Sequence, residues 1–335
     1  MTGLLQKLAA AALFGTSLVA GAQAAETCDA AYAGKSVEII VPAPAGGGYD
    51  VVARVLAASL QGQLGNARID VKNLPGARNV TAATYLATPE ENKIKLGYYN
   101  VSDLLEDAGD LKDADFIPVG GVIDEPLLLI GRSDVTVDTL PKATTYSTVK
   151  VDERSVMNVH VPLMLLGLEP VPVFGMTGIS EILASIARSE LDVSAIALTS
   201  AKRQLKSFEG LHLFLSLTDT PVADFPDVPA FGDLIRARGT TGDASLAADV
   251  PLLTRSIRAV HVYKDMAEDV RTCLEGSLKA VIEGDGFKAA AGEANIVSTY
   301  LAPQELADFV TRRNEALARH ADALKALVTS LGGSE

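Results

Sequence analysis

The chain has 335 residues, 48% of them hydrophobic and 21% charged, with a formal net charge of −13, no tryptophan and two cysteines. At about 150 residues per domain this length suggests two domains, and the apolar share suffices for packed cores, which excludes a disordered chain. Twenty-nine Lys and Arg against 42 Asp and Glu speak against a protein that tracks nucleic-acid phosphates or lies on anionic lipid, since both need net positive surface.

Residues 1–25 read as a secretory signal peptide. Lys7 is their only charge, the apolar run from Leu8 to Ala20 falls short of the roughly 20 residues that span a bilayer, and Ala22-Gln23-Ala24 is an A-x-A cleavage pattern. No cysteine stands at the cleavage point, so no lipid anchor is expected. Loss of Lys7 takes the charge from −13 to −14 in the mature chain. No later apolar run reaches spanning length, and the exported chain is expected to be soluble. In an oxidising compartment an even cysteine count favours a disulfide between Cys28 and Cys273, with two separate buried thiols as the alternative.

From Lys35 onward short β-branched runs alternate with helical patterns, the signature of an α/β protein with mostly parallel strands. Val37–Val41 is the first predicted strand and Tyr49–Gln63 the first helix, with Val52, Val55, Leu56 and Leu60 on one face. A strand at Arg68–Val71, a turn at 73–77, a helix at Val80–Ala87 and a strand at Ile94–Tyr98 complete one lobe's sheet. A second group has strands at Phe116–Val122, Leu127–Ile130, Val193–Leu198 and Leu211–Leu217 and helices at Ser155–Leu166 and Ile179–Ser189. Asp224–Pro229 is a stiff connector, because each proline restricts itself and its predecessor. Gly239–Asp249 reads as a surface loop. Ser256–Val262 is a strand, and the remainder is helical at Met266–Glu283, Gly286–Ala291 and Pro303–Val328.

The most informative segment runs from a strand through Gly46, Gly47 and Gly48 into a helix. Three glycines let a ligand approach the backbone closely, and the free N–H groups and dipole of the helix start make an anion site. No Gly-Lys-Ser/Thr follows and the G-x-G-x-x-G spacing is missing, so this is neither a Walker A loop nor a dinucleotide fingerprint. An ordinary glycine-rich turn, with Asp50 as a helix-start acid, accounts for the residues equally well.

The pattern Pro-x-x-x-Gly-Gly-Gly-Tyr-Asp-x-x-Ala-Arg-x-Leu, which ends at Leu56, resembles the opening of the substrate-binding proteins of tripartite tricarboxylate transporters, the Bug receptors. Asn73-Leu74-Pro75-Gly76-Ala77 resembles that family's N-x-P-G-A-G turn. Phe225–Phe231 (FPDVPAF) resembles its L-P-D-V-P-T-x segment, and Val171–Gly175 (VPVFG) is more loosely similar to its V-P-Y-K-G motif. The resemblance covers nearly the whole mature chain. It implies a two-lobed periplasmic binding protein of the second structural type, with the ligand cleft between lobe 1 (26–125 and 223–335) and lobe 2 (126–222). It also implies a monomer, with no catalytic activity, no cofactor and no metal, that captures a small di- or tricarboxylate, acidic amino acid or aromatic acid for membrane permease subunits. Carried over by position, the ligand-binding residues are Ala43, Pro44, Ala45, Gly46, Gly47, Gly48, Tyr49 and Asp50 in the first loop, and Ser147 and Thr148 in the second lobe. To these the resemblance adds Gly175, Met176, Thr177 and Gly178 at a helix start, and Thr199 and Ser200 after a strand. Thr177 serves equally well as a plain N-cap.

The chain departs from the family at Tyr146–Ser155 (YSTVKVDERS), where relatives carry a glycine- and serine-rich loop. Lys150 or Arg154 there could meet a ligand charge, although such side chains are more often simply solvated. Arg78 replaces a family glycine and reads as a surface residue.

Enzyme readings gain little. His160, His212, His261 and His320 lack metal-ligand spacing, and no G-x-S-x-G elbow is present. His160 reads as a structural histidine in preference to a cleft residue. A sensor subunit that presents its loaded form to a signalling kinase is the leading alternative to transport, and a periplasmic hydrolase is a distant third. At −14 the mature chain repels anions at long range, so affinity must come from local dipoles and aimed amides.

Overall fold

The computed structural model describes residues 30–76, 79–101, 111–148, 151–176 and 178–333. Cys28, Ala77, Arg78, Lys150, Thr177 and the expected signal peptide lie outside the described residues. Cys273, on a late helix, is disulfide-bonded.

Strand β1 (Ser36–Val41) buries Val37, Ile39, Ile40 and Val41 to 1% exposure or less, the continuous apolar run of a strand covered on both faces. Helix α1 (Gly48–Leu60) follows and buries Val52, Ala53, Leu56 and Leu60 completely. Each such Val or Leu side chain contributes about 1.5–3 kcal/mol of transfer free energy. The chain continues through β2 (Arg68–Asn73), α2 (Val80–Ala87), β3 (Lys93–Asn100) and β4 (Phe116–Glu125). Helix α2 packs Ala82, Ala83 and Leu86 on Ile40 and Phe116.

The second sheet is then laid down by β5 (Leu127–Arg132), β6 (Thr145–Ser147), β7 (Val171–Val173), β8 (Val193–Ala197) and β9 (Leu211–Ser216). Between β6 and β7 lie α3 (Glu153–Ser155), a π-turn at Val156–His160 and α4 (Val161–Leu165). One helix over Ser155–Leu166 was expected; Pro162, which has no N–H to donate, stands where α4 restarts. Helices α5 (Ile179–Ala187) and α6 (Leu198–Gln204) flank β8, and α7 (Phe231–Arg238) and α8 (Ala244–Leu253) precede β10 (Ser256–Tyr263). Helices α9 (Glu268–Glu283), α10 (Asp285–Glu293) and α11 (Pro303–Ser330) end the chain.

The sheet orders are β2-β1-β3-β10-β4 and β7-β6-β8-β5-β9. In the first, β2 and β3 flank β1 in parallel and β10 runs antiparallel to β3. In the second, β7 and β8 are parallel to β6, while β5 is antiparallel to β8 and β9. The expectation of mostly parallel strands therefore holds for β1, β2 and β3 in the first sheet and for β6, β7, β8 and β9 in the second, where β5 runs against its two neighbours.

Contacts divide the chain into two compact units. The first takes the described residues up to Val122 with Arg258–Ala291 and Ser298–Pro303; the second takes Ile123–Ile257, Gly292–Val297 and the residues from Gln304 on. The boundaries expected for lobe 1 differ, because 223–257 and 304–333 cluster with the second unit. Packing gives the reason: Phe231, Leu246, Val250, Leu253, Ala316, Leu324 and Val328 share one core with Leu129, Tyr146 and Phe214.

The surface loop expected at Gly239–Asp249 is corrected as well. Helix α8 starts inside it, with the Asp243 carboxylate capping the Ser245 and Leu246 amides at 2.7 and 3.3 Å. Leu246, Ala247 and Val250 face the core.

Candidate functional site

In the first unit the glycine segment follows the C-terminal end of β1, and parallel neighbours bring the ends of β2 and β3 to the same sheet edge. Ligands of open α/β sheets bind beyond such strand ends. Gly46 has φ +81°, open to glycine at little cost, and Gly47 is the N-cap of α1 without a side-chain cap. Pro44, Ala45, Gly46 and Gly47 are exposed, Ala43, Gly48 and Tyr49 half-buried, and Asp50 buried.

The loop is closed internally. Asp50 Oδ2 accepts the Gly46 amide at 2.8 Å and Arg54 Nε at 2.9 Å, while Oδ1 lies 2.9 Å from Arg54 Nη2 as an ion pair without hydrogen-bond alignment. Asn73 ties β2 to the loop by donating to the Ala43 carbonyl at 3.0 Å and accepting from Arg54 at 3.2 Å. Burial would raise the Asp50 carboxyl, but the hydrogen bonds from Arg54, the Gly46 amide and Asn73, with the Arg54 charge, hold it below the usual carboxylate range. Asp50 is thus a clamp that shapes the loop. Gly47 N–H goes to the Pro44 carbonyl at 3.4 Å. The amides of Gly48, Tyr49 and Asp50 lie ahead of the first helical bond, from Val51 N to Gly47 O at 3.1 Å, and a helix's first amides have no carbonyl within their own helix.

Residues that the sequence reading passed over surround this mouth. The buried Arg258 of β10 lies with its guanidinium 4.8 Å from the Tyr49 ring, and Tyr98 packs edge-on against Tyr49 at 6.0 Å. Arg258 stands opposite Asn100 in register. A charged residue inside the apolar run Ser256–Val262 was the available signal.

The second unit repeats the arrangement at the C-terminal ends of β6, β7 and β8. Ser147 ends β6 and its hydroxyl is buried without a hydrogen-bond partner. Thr148 is buried, and its amide extends the pairing to the Val173 carbonyl at 3.0 Å. Beyond β7, Gly175 has φ +104°, Met176 packs on the core, and Gly178 is the N-cap of α5. Beyond β8, Thr199 and Ser200 lie in the first turn of α6. The Thr199 amide donates to the buried Glu125 at 2.6 Å, and the Thr199 hydroxyl accepts the Val297 amide at 3.3 Å. The described second-unit residues expected in the site therefore gather along one sheet edge, which Thr199 helps to hold.

His160 is 5% exposed and meets the Tyr146 hydroxyl at 3.4 Å, and burial lowers its pKa to about 4. It is a neutral core histidine. Arg154 is exposed. Among the described residues no group of His, Cys, Asp and Glu could hold a metal ion, and no helix is long and apolar enough to cross a membrane.

No family model matches the chain. The UPF0065 protein of the TAR-I ttuE-ttuC' intergenic region of Agrobacterium vitis is 24% identical over 259 residues, 73% of this chain and 72% of that protein. Protein BugT of Bordetella pertussis is 31% identical over 136 residues, 38% of this chain and 41% of that protein. Among solved structures, the periplasmic binding protein BugD superposes with a TM-score of 0.65 at 18% identity, covering 86% of this chain and 97% of that one. The fold is that of the Bug and TctC solute-binding proteins. MatC of Rhodopseudomonas palustris with bound malate has a TM-score of 0.63 at 18% identity and covers 87% of this chain and 99% of its own. In motif order and in fold, then, the chain resembles the tripartite tricarboxylate transporter receptors.

Proposed function

We propose that this protein is a periplasmic receptor of the Bug family that captures a small organic carboxylate and presents it to the membrane permease of a tripartite tricarboxylate transporter. The observation that carries the reading is the glycine loop of the first unit, held by Asp50, Arg54 and Asn73 with the first-turn amides of α1 beyond it. A carboxylate at a helix start accepts several backbone hydrogen bonds and meets the positive end of the helix dipole. Such binding requires no buried ion pair, so release to a permease stays possible. The malate held by MatC, a protein of the same fold, supports an organic acid as the ligand class. Binding that favours a closed arrangement would report occupancy to the permease.

The test is uptake of radiolabelled organic acids by cells with the gene deleted and then restored. Loss and recovery of uptake for at least one carboxylate is expected. Unchanged uptake of every acid, together with lost uptake of a sugar or an amine, contradicts the reading.

A further inference from the structure

Arg258 is the third residue of β10, a strand whose Ile257, Ala259, Val260 and Val262 are fully buried, and it is itself only 4% exposed. A cation taken out of water costs free energy that a methionine or leucine at the same place would not. Register fixes where the charge sits. Antiparallel pairing sets Arg258 opposite Asn100 and Val260 opposite Tyr98, and residues directly opposite, like those two apart on one strand, share a face of the sheet. Asn100 is the last residue of β3, which runs parallel to β1. Arg258 therefore stands at the strand-end edge from which the glycine loop leaves β1, within the first unit.

That face meets the first turn of α1. The Arg258 guanidinium lies 4.8 Å from the centre of the Tyr49 ring, and the fully buried Tyr98 packs edge-on against the same ring at 6.0 Å and 62°. A guanidinium over an aromatic face is held by the ring quadrupole, more strongly where water is excluded, and an edge-on aromatic neighbour adds to the hold. Tyr49 follows Gly48 directly and is half-buried, so two buried side chains pin a ring beside the first-turn amides. Asp50 and Arg54 fix the loop that leads into these amides; Arg258 and Tyr98 fix the ring that follows it.

We propose that Arg258 is a positioning residue for ligand binding: it holds the Tyr49 ring in place before the ligand arrives, so that the mouth of α1 binds without first ordering its wall. The inference rests on the carboxylate-receptor reading above and adds to it a residue that acts through Tyr49. Ordering one flexible side chain at a binding surface weakens affinity by about 2- to 10-fold, and that is the effect expected when Arg258 is lost.

Calorimetric titration of the full mature chain with malate, succinate, adipate, citrate and benzoate tests this in a double-mutant cycle of wild type, Arg258→Met, Tyr49→Ala and the double variant. Arg258→Met should weaken the best-bound acid by about 2- to 10-fold, and Tyr49→Ala at least as much. In the Tyr49→Ala background the further change on Arg258→Met should be under about twofold, because the ring it positions has gone. Arg258→Lys, which keeps a cation over the ring, should restore part of the affinity. Where Arg258→Met fails to fold, Arg258→Gln takes its place in the cycle. Melting temperatures of the same samples separate binding from stability: an arginine that only supports the fold shifts them and leaves the acid's affinity unchanged. Such a result overturns the proposal, as does an equal loss on Arg258→Met with and without the Tyr49 ring, or full affinity in Tyr49→Ala. Wild-type protein that binds none of the acids refutes the carboxylate reading itself, whereas additive losses at Arg258 and Tyr49 leave that reading standing and remove only the coupling.

Discussion

Asp50 Oδ2 accepts the Gly46 amide at 2.8 Å, closing the glycine loop onto the first turn of the helix that it introduces. The same carboxylate holds Arg54, so one buried acid fixes both the loop and its flank. Asp50→Ala leaves the Gly46 amide and the guanidinium without it, at a cost of about 1–3 kcal/mol for lost hydrogen bonds to a charged group. Urea unfolding should show that loss, and titration with malate or adipate should show weakened binding. Unchanged values of both would deny Asp50 the role of clamp.

The neighbouring glycines separate strain from access. Gly46 sits at φ +81°, so Gly46→Ala should cost about 1–2 kcal/mol in a left-handed conformation. Gly47 lies outside that region, and a Cβ there would stand 3.3 Å from the Pro44 carbonyl. Gly47→Val should cost about 1 kcal/mol at this N-cap, leaving the protein folded, yet lose carboxylate binding, because the side chain occupies the mouth of the helix. Intact affinity in Gly47→Val would remove this loop from the site.

Two buried histidines weaken the fold as pH falls. Burial lowers the pKa of His160 to about 4 and that of His261 to about 3, and His261 stacks on Tyr99 with ring centres 3.9 Å apart. Both values fall below the unfolded value of 6.5, so the unfolded chain binds the extra protons. Their contribution to stability is present above pH 6.5 and is lost as pH falls towards 4. Each histidine contributes a slope approaching about 1.4 kcal/mol per pH unit in that window. Denaturant unfolding at pH 7, 6 and 5 should show the loss, and His261→Phe should reduce the slope by about one proton. An unchanged slope would mean that His261 is protonated in the folded chain.

What the sequence disclosed follows the range of the interactions involved. The β1-loop-α1 unit was legible because strand, glycines and helix are contiguous. The link from Asn73 to Ala43 was not, since it depends on β1 and β2 pairing in parallel. The gathering of Ser147, Gly178 and Thr199 along one edge depends likewise on non-local pairing, and here the family resemblance supplied what periodicity could not. The assignment of α7, α8 and α11 failed because amphipathic helices declare a buried face without naming the core that receives it. Arg313 lies on such a face with Leu306, Phe309 and Ala316, a charge on an apolar stripe that the sequence displays.

The most direct measurement is a thermal-shift screen of the mature protein against organic acids, neutral sugars and amines. A ligand at 100 times its dissociation constant adds about 2.7 kcal/mol of stability, enough to move the melting point by several degrees. The account predicts that at least one small carboxylate raises the melting temperature and that the shift disappears in Gly47→Val. A shift with sugars or amines and with none of the acids would contradict it.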